Sequence, residues 1–392
     1  MITVAEADAL LSEHVRALPA IAVPLAEAAG RVLREAVVAD RDVPPFDRVT
    51  MDGVALASAD LDRRRFRVAS TQAAGEPPHT LSEAGDCVEI MTGAALAEGA
   101  DTVVRYEDLV LEDGWASLRE GVAVTPGQNI HGRGDDRRAG EPVLGPGVRI
   151  GPGHVTALAS LGAATVRVSA VPRVAVVTTG DEVVAVAETP LPHQIRQSNG
   201  PALRAALALH GVPDVALAHA PDDEARLRTV FEGALRTSDM LVLTGGVSAG
   251  RFDLVPGVLA SLGVREVFHK VRQKPGKPLW FGVAEDGTPV FGLPGNPVSA
   301  LVGLVRYVVP FLDAAAGRPA PPRPRLRLTA LPRRKNDFTH FVPVRRDGLD
   351  AHPAPSNGSG DVLSLVASDG IAEVAAGVQE PGSVPFIPWS PL

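Results

Sequence analysis

The chain has 392 residues, 45% hydrophobic and 21% charged, with a formal net charge of −8. An acidic globular composition of this kind argues against general nucleic-acid or anionic-membrane binding, so an anionic ligand must be met locally by lysines, backbone amides or a metal. A lone cysteine, Cys87, excludes an internal disulfide and a cysteine-rich zinc site.

The length predicts two to four domains. The opening residues lack the basic and apolar regions of a signal peptide, and no apolar run reaches the roughly 18 residues of a spanning helix, so the expected location is the cytosol. Residues 3–17 carry an amphipathic helical pattern, with Thr3 as cap and Glu6 at capping-box spacing. Pro44 and Pro45 break regular structure around residues 40–47. Short apolar runs at 65–69, 87–91, 102–106 and 116–119, separated by glycine and proline, predict a small β-rich domain. From Pro172 the pattern changes. A buried strand at 173–179 ends at Gly180-Asp181-Glu182, and a helix follows from Ser198 to Gly211. A strand at 215–219, a helix at 222–236 and a strand at 240–243 come next. This alternation predicts a parallel sheet with helices on both faces and ligands at the carboxyl ends of its strands. The prolines at 319, 321, 322 and 324 form a stiff linker, beyond which strands at 325–329, 338–344 and 382–387 predict a small β domain.

Two loops stand at predicted strand ends: residues 244–250, with Gly245, Gly246, Ser248 and Gly250, and residues 292–300, with Pro294, Gly295 and Asn296. Such loops supply free N–H groups where a helix dipole favours negative charge. Between them Lys274 and Lys277 flank a Pro-Gly turn, and two ammonium groups held together suit a dianion. Ser299 begins the last helix of this region and reads either as a further anion contact or as its cap. Asp52, Asp136, Glu182, Asp239 and Asp253 belong to a chain with many acids, and each taken alone reads as a solvated carboxylate; a few together could hold a divalent ion or position a water, a role that rests on the resemblance given below. Asp239 reads equally as a strand cap, and Thr92 as either a substrate contact or a turn hydroxyl. The ten histidines show no metal-binding spacing. His131 reads as incidental and Cys87 as core.

Laid in order, these segments resemble the molybdopterin molybdenumtransferase family (MoeA and gephyrin E domains). The matching segments are Pro44-Pro45-Phe46-Asp47, Met51-Asp52-Gly53, Ile90 to Ala94, Gly127 to Ile130, Gly134-Asp135-Asp136, Thr179 to Glu182, Thr244 to Gly250 with Asp253, Lys274 to Pro278, and Gly292 to Ala300. The resemblance implies insertion of molybdate into adenylated molybdopterin, dependent on Mg2+, with release of AMP. It implies an α/β plus β multidomain fold. An N-terminal helix (1–20) packs on a mostly parallel α/β molybdopterin-binding domain (172–317). An elongated connecting domain (21–46 and 137–171), a β-rich domain (47–136) and a C-terminal β-barrel-like domain (318–392) complete it. A homodimer with its active site at the subunit interface is implied, as are a molybdopterin adenylyltransferase and cofactor-receiving molybdoenzymes as possible partners.

Carried over residue by residue, Asp52, Thr92, Glu182 and Asp253 are expected to be catalytic, with Glu182 and Asp253 holding the metal. Asp136, Asp239, Gly245, Gly246, Ser248, Gly250, Pro294, Gly295 and Asn296 are expected around the pterin. Lys274, Lys277, Ser299, His340 and Ser359 are expected around molybdate. Two positions depart from the family pattern. Val54 stands where a large residue is usual, which leaves an aromatic contact missing or supplied elsewhere. His340 stands where an arginine is usual, so anion binding there is expected to weaken as pH rises through neutrality, unless Arg345 substitutes. Two other readings are adenylation of molybdopterin, disfavoured by the Met51-Asp52-Gly53 segment and the C-terminal domain, and a scaffold that clusters partners.

Overall fold

The computed structural model describes residues 1–247, 254–332 and 337–391. The chain divides into two compact units, one of Met1–Arg34, Pro146–Ile150 and Val166–Leu392, the other of Glu35–Gly145 and Gly151–Thr165.

The first unit opens with helix α1 (Val4–Glu13), where Thr3 and Glu6 form the expected capping box. The helix ends before residue 17 because His14 leaves helical geometry. Val4, Ala7 and Leu11 bury its apolar stripe in the main core.

The second unit is built on a six-stranded sheet: β1 (Gly53–Leu56), β2 (Arg65–Gln72), β3 (Asp86–Ile90), β4 (Thr102–Arg105), β5 (Leu109–Glu112) and β6 (Trp115–Leu118), in the order β4-β1-β3-β2-β6-β5. Helix α2 (Pro152–Ser160) belongs to the same unit. Strand β1 escapes the sequence pattern because all its residues are buried, so no alternation marks it. Val54 packs with Phe66, Cys87 and Val104. The Val54 side chain fills the sheet's core.

The rest of the first unit alternates strand and helix: β7 (Val174–Thr179), α3 (Asn199–Leu209), β8 (Val215–Ala220), α4 (Glu224–Thr237), β9 (Met240–Thr244), α5 (Val255–Ser261), β10 (Arg265–His269), the short β11 (Gln273–Lys274), β12 (Trp280–Val283), β13 (Pro289–Leu293) and the helix α6 (Pro297–Ala315). The sheet order is β8-β7-β9-β13-β12-β10. The first four strands are parallel, and β12 and β10 are antiparallel additions at one edge that the βαβ pattern did not announce. Period-two alternation assigns the faces. Val174, Val176, Met240 and Val242 join α1, α3 and α6 on one side. Ala175, Val177, Leu241 and Leu243 join α4 and α5 on the other.

Helix α6 corrects the sequence reading that no apolar stretch is long enough to span a membrane. Its 19 residues meet that test by length and hydropathy, but 78% of the stretch is buried inside the protein, as befits a core helix. Within it, Leu304–Val308 forms a π turn. Pro310 follows, and its missing N–H interrupts the ordinary ladder near that point.

Five strands close the C-terminal barrel: β14 (Arg325–Leu328), β15 (Thr339–Asp347), β16 (Asp350–Pro353), β17 (Gly370–Val374) and β18 (Ser383–Pro388), with β15 pairing both β16 and β17. Strand β11 adds to the outside of β15, pairing Gln273 with Thr339 and Lys274 with His340.

Candidate functional site

The carboxyl ends of β7, β8, β9 and β13 open into a cavity of about 630 Å3. Thr178 and Thr179 end β7 and Gly180 and Glu182 follow it, Asp222 follows β8, Gly245 and Gly246 follow β9, and Pro294, Gly295 and Asn296 follow β13. Parallel register makes this convergence unavoidable, because strands aligned in one direction end together.

The loops after β9 and β13 are joined. Gly245 N donates to Leu293 O at 3.1 Å, and Thr244 Oγ1 donates to Pro294 O at 3.1 Å. Asn199, at the start of α3, donates through Nδ2 to Thr244 Oγ1 at 2.8 Å and to Gly295 O at 2.7 Å. Gly245 has φ +100°, and a Cβ there would lie 2.6 Å from Thr179 Oγ1, so only glycine fits. The Thr179 hydroxyl is buried with no partner among the described residues.

This cavity is acidic at one side. Burial, and then the charges of Asp181 and Glu182, push the Asp222 carboxyl above its ordinary range. Neither Glu182 nor Asp222 has a salt bridge among the described residues. Arg196 is the one lysine or arginine among the described lining residues, and its Nε donates to Glu188 O at 3.0 Å.

A second cavity, of about 570 Å3, adjoins the first and shares Pro278, Pro294 and Asn296 with it. Its walls carry Lys274, Lys277, Ser299, His340 and Ser359, and no aspartate or glutamate among the described residues. Both lysines are exposed and neither is in a salt bridge among the described residues. Ser299 is the third residue of α6 and is 3% exposed, while the N-cap is Asn296. The Asn296 side chain makes no capping bond; its Nδ2 donates to Ser359 Oγ at 2.9 Å and ties the barrel loop to the glycine loop. His340 is buried on β15 beside Lys274.

In the second unit the structure joins Asp52 and Thr92. Thr92 N donates to Asp52 Oδ1 at 2.6 Å. That bond, with one from the Thr92 hydroxyl, holds the carboxyl below its usual range, so Asp52 stays ionised into mildly acid conditions. Asp136 lies 3.1 Å from His131 Nε2, and His131 Nδ1 is 3.0 Å from Arg48. His131 is therefore the centre of a small polar cluster rather than incidental.

Asp239 is not brought to either cavity. It precedes β9 at the end away from the loops, where it accepts from Arg173 N at 2.8 Å and pairs with the Arg173 guanidinium at 2.7 Å. The strand-cap reading fits it. Ser248, Gly250 and Asp253 lie outside the described residues. The sequence reading passed over Asp222, Arg196 and Asn199, all on the wall of the first cavity. Asp222 lies three residues past the predicted strand at 215–219, as Glu182 lies three past the one at 173–179, so the rule that placed Glu182 would have found it.

Family models match along most of the chain: the MoeA N-terminal region (domain I and II) over residues 2–162, a probable molybdopterin binding domain over 175–314, and the MoeA C-terminal region (domain IV) over 325–389. A molybdopterin molybdenumtransferase from Synechocystis is 36% identical over 99% of this chain and 100% of its own length. One from Staphylococcus epidermidis is 31% identical over 94% of this chain and 90% of its own. A crystal structure of the molybdopterin biosynthesis MoeA protein from Pyrococcus horikoshii is 30% identical, covers 100% of both chains, and has a TM-score of 0.81.

Proposed function

Since the chain belongs to the MoeA family of molybdopterin molybdenumtransferases, enzymes that insert molybdenum during molybdenum cofactor synthesis, we propose that its two adjoining cavities divide the substrates of that reaction. Adenylated molybdopterin occupies the carboxylate-lined cavity and molybdate the lysine-lined one. The observation that carries this reading is the opposite electrostatic character of two cavities with a common wall at Pro294 and Asn296.

A dianion needs positive charge without competing carboxylates, and Lys274 and Lys277 supply it. On this reading the anion lies beside the pterin across the shared wall, so much of the gain is proximity, with two reactants held in one orientation. The joined loops offer backbone N–H groups and glycine surfaces to a phosphate. Water cleaves the phosphoanhydride, AMP leaves, and the remaining phosphate stays on the pterin; its two dithiolene sulfurs take the place of two molybdate oxygens, which leave as water with protons from the thiols and the solvent, and molybdenum keeps its oxidation state.

Mg2+ suits the acidic side of the first cavity, where Glu182 and Asp222 line one wall and where burial, and then the charges of Asp181 and Glu182, disfavour an ionised Asp222 that a cation would favour. Glu182 and Asp222 would hold it, and Asp253 is the further candidate ligand. When bound, it supplies charge neutralisation at the phosphoanhydride. On this reading Glu182 or Asp222 also orients the attacking water. The proposal includes a homodimer in which Asp52 and Thr92 of a second copy contribute to the site, the expectation carried by the family resemblance. A molybdopterin adenylyltransferase upstream and molybdoenzymes that receive the product are the corresponding partners.

The test is AMP release from adenylated molybdopterin with Mg2+, with and without molybdate. Release that needs molybdate and disappears in Glu182→Ala supports the reading. Tight binding with no release in the wild type overturns it.

A further inference from the structure

Lys274 and Lys277 project from a turn whose shape depends on a side chain beneath it. Gln273 is 1% exposed, and its Nε2 donates to Gly276 O across the turn at 3.0 Å. A Cβ on Gly276 would lie 2.9 Å from that same nitrogen, so the amide is pressed against the turn. Its other end, Oε1, accepts a hydrogen bond from the Tyr307 hydroxyl. The amide cannot flip without aiming its oxygen at the Gly276 carbonyl.

Tyr307 is 1% exposed and lies in the π turn of α6. Burial pushes its hydroxyl above the ordinary tyrosine range, which keeps it a donor. It is held in turn by Arg306, whose guanidinium carbon is 4.8 Å from the ring centroid. Arg306 is 3% exposed and grips Asp8 through both η nitrogens, at 2.8 and 2.7 Å, and Glu373 through Nε at 3.1 Å. The ring is therefore anchored to α1 and to the barrel strand β17. Two exposed ammonium groups on one turn repel each other, and neither is in a salt bridge among the described residues, so the contacts beneath the turn are what hold its shape.

We propose that Tyr307 is a positioning residue for molybdate binding, acting through Gln273 to hold the Lys274–Lys277 turn in its anion-binding shape. This rests on the assignment of that turn to molybdate. A π turn in a helix otherwise devoted to the core then has a function: it sets Tyr307 where its hydroxyl reaches Gln273.

The experiment compares wild type, Lys274→Ala, Tyr307→Phe and Gln273→Met, measuring KM for molybdate and for adenylated molybdopterin, with the urea midpoint of each. Losing one buried hydrogen bond is expected to raise the molybdate KM about three- to tenfold in Tyr307→Phe. The KM for adenylated molybdopterin should stay within about twofold, since no residue of this chain of contacts lines the first cavity. Gln273→Met should behave alike, and it decides the matter if Tyr307→Phe does not fold. A Lys274→Ala effect on molybdate without one in either buried variant overturns the role of Tyr307 and leaves the assignment of the turn intact. No effect of Lys274→Ala on molybdate overturns that assignment and the inference with it. A parallel rise of both KM values in the buried variants would make Tyr307 merely structural.

Discussion

Replacing Gly245 by alanine tests the close approach beneath the first glycine loop. The added Cβ would stand 2.6 Å from Thr179 Oγ1 and 2.9 Å from Thr179 O, at a φ of +100°. Left-handed backbone costs an L-residue about 1–2 kcal/mol. Overpacking costs about 1–3 kcal/mol more. The expected loss is about 2–5 kcal/mol, which at a urea slope of about 2 kcal/mol/M moves the midpoint down by about 1–2.5 M. Gly348→Ala is the internal control: its φ is +57° with nothing within 4 Å of the new Cβ, so only the backbone cost of about 1–2 kcal/mol applies. Urea unfolding of both variants, followed by fluorescence, gives the comparison. The relocated loop should also raise the KM for adenylated molybdopterin in Gly245→Ala alone. Equal midpoints for the two variants would refute the steric argument, and an unchanged midpoint for Gly245→Ala would refute the loop geometry itself.

Three further outcomes are expected. Asp222→Asn should stabilise the protein at neutral pH by about 0.5–2 kcal/mol while abolishing turnover. Because the folded carboxyl titrates above its unfolded value, the wild type gives up this stability as pH rises through the folded pKa. The gain in Asp222→Asn should therefore vanish at pH values below the ordinary aspartate range, and thermal melts across pH check the sign. Arg306→Ala, which strips Glu373 and Asp8 of a buried partner, should cost about 3–5 kcal/mol in urea unfolding. Cys87 is fully buried and its thiol is pushed up to about 12, chiefly by burial, so a disulfide reagent at pH 8 should label it only as the protein unfolds.

Much of the site was legible because the information was local. A strand followed by glycine, as at Thr244-Gly245-Gly246, announces a loop at a sheet edge, and parallel topology then says which edge binds ligands. Lys274 and Lys277 were legible because a Pro-Gly turn sets both on one short connection. Asp239 and Asp222 show where that reasoning stopped. Both are acids beside strands, but one precedes β9 and pairs with Arg173 while the other follows β8 and faces the cavity. Composition does not separate them; strand direction does.

The sequence by itself determined the capped first helix, the alternating strands and helices, the two glycine loops and the order of segments that marks the family. Each is encoded in residues a few positions apart, where backbone sterics and side-chain periodicity act directly. Only the tertiary structure decided that β10 and β12 extend the sheet antiparallel, that five strands close a barrel, that Val54 faces a core, and that Tyr307 reaches Gln273 across 34 positions of sequence. Those outcomes depend on strand order, register and helix packing, which are settled by the joint burial of surfaces distant in the chain.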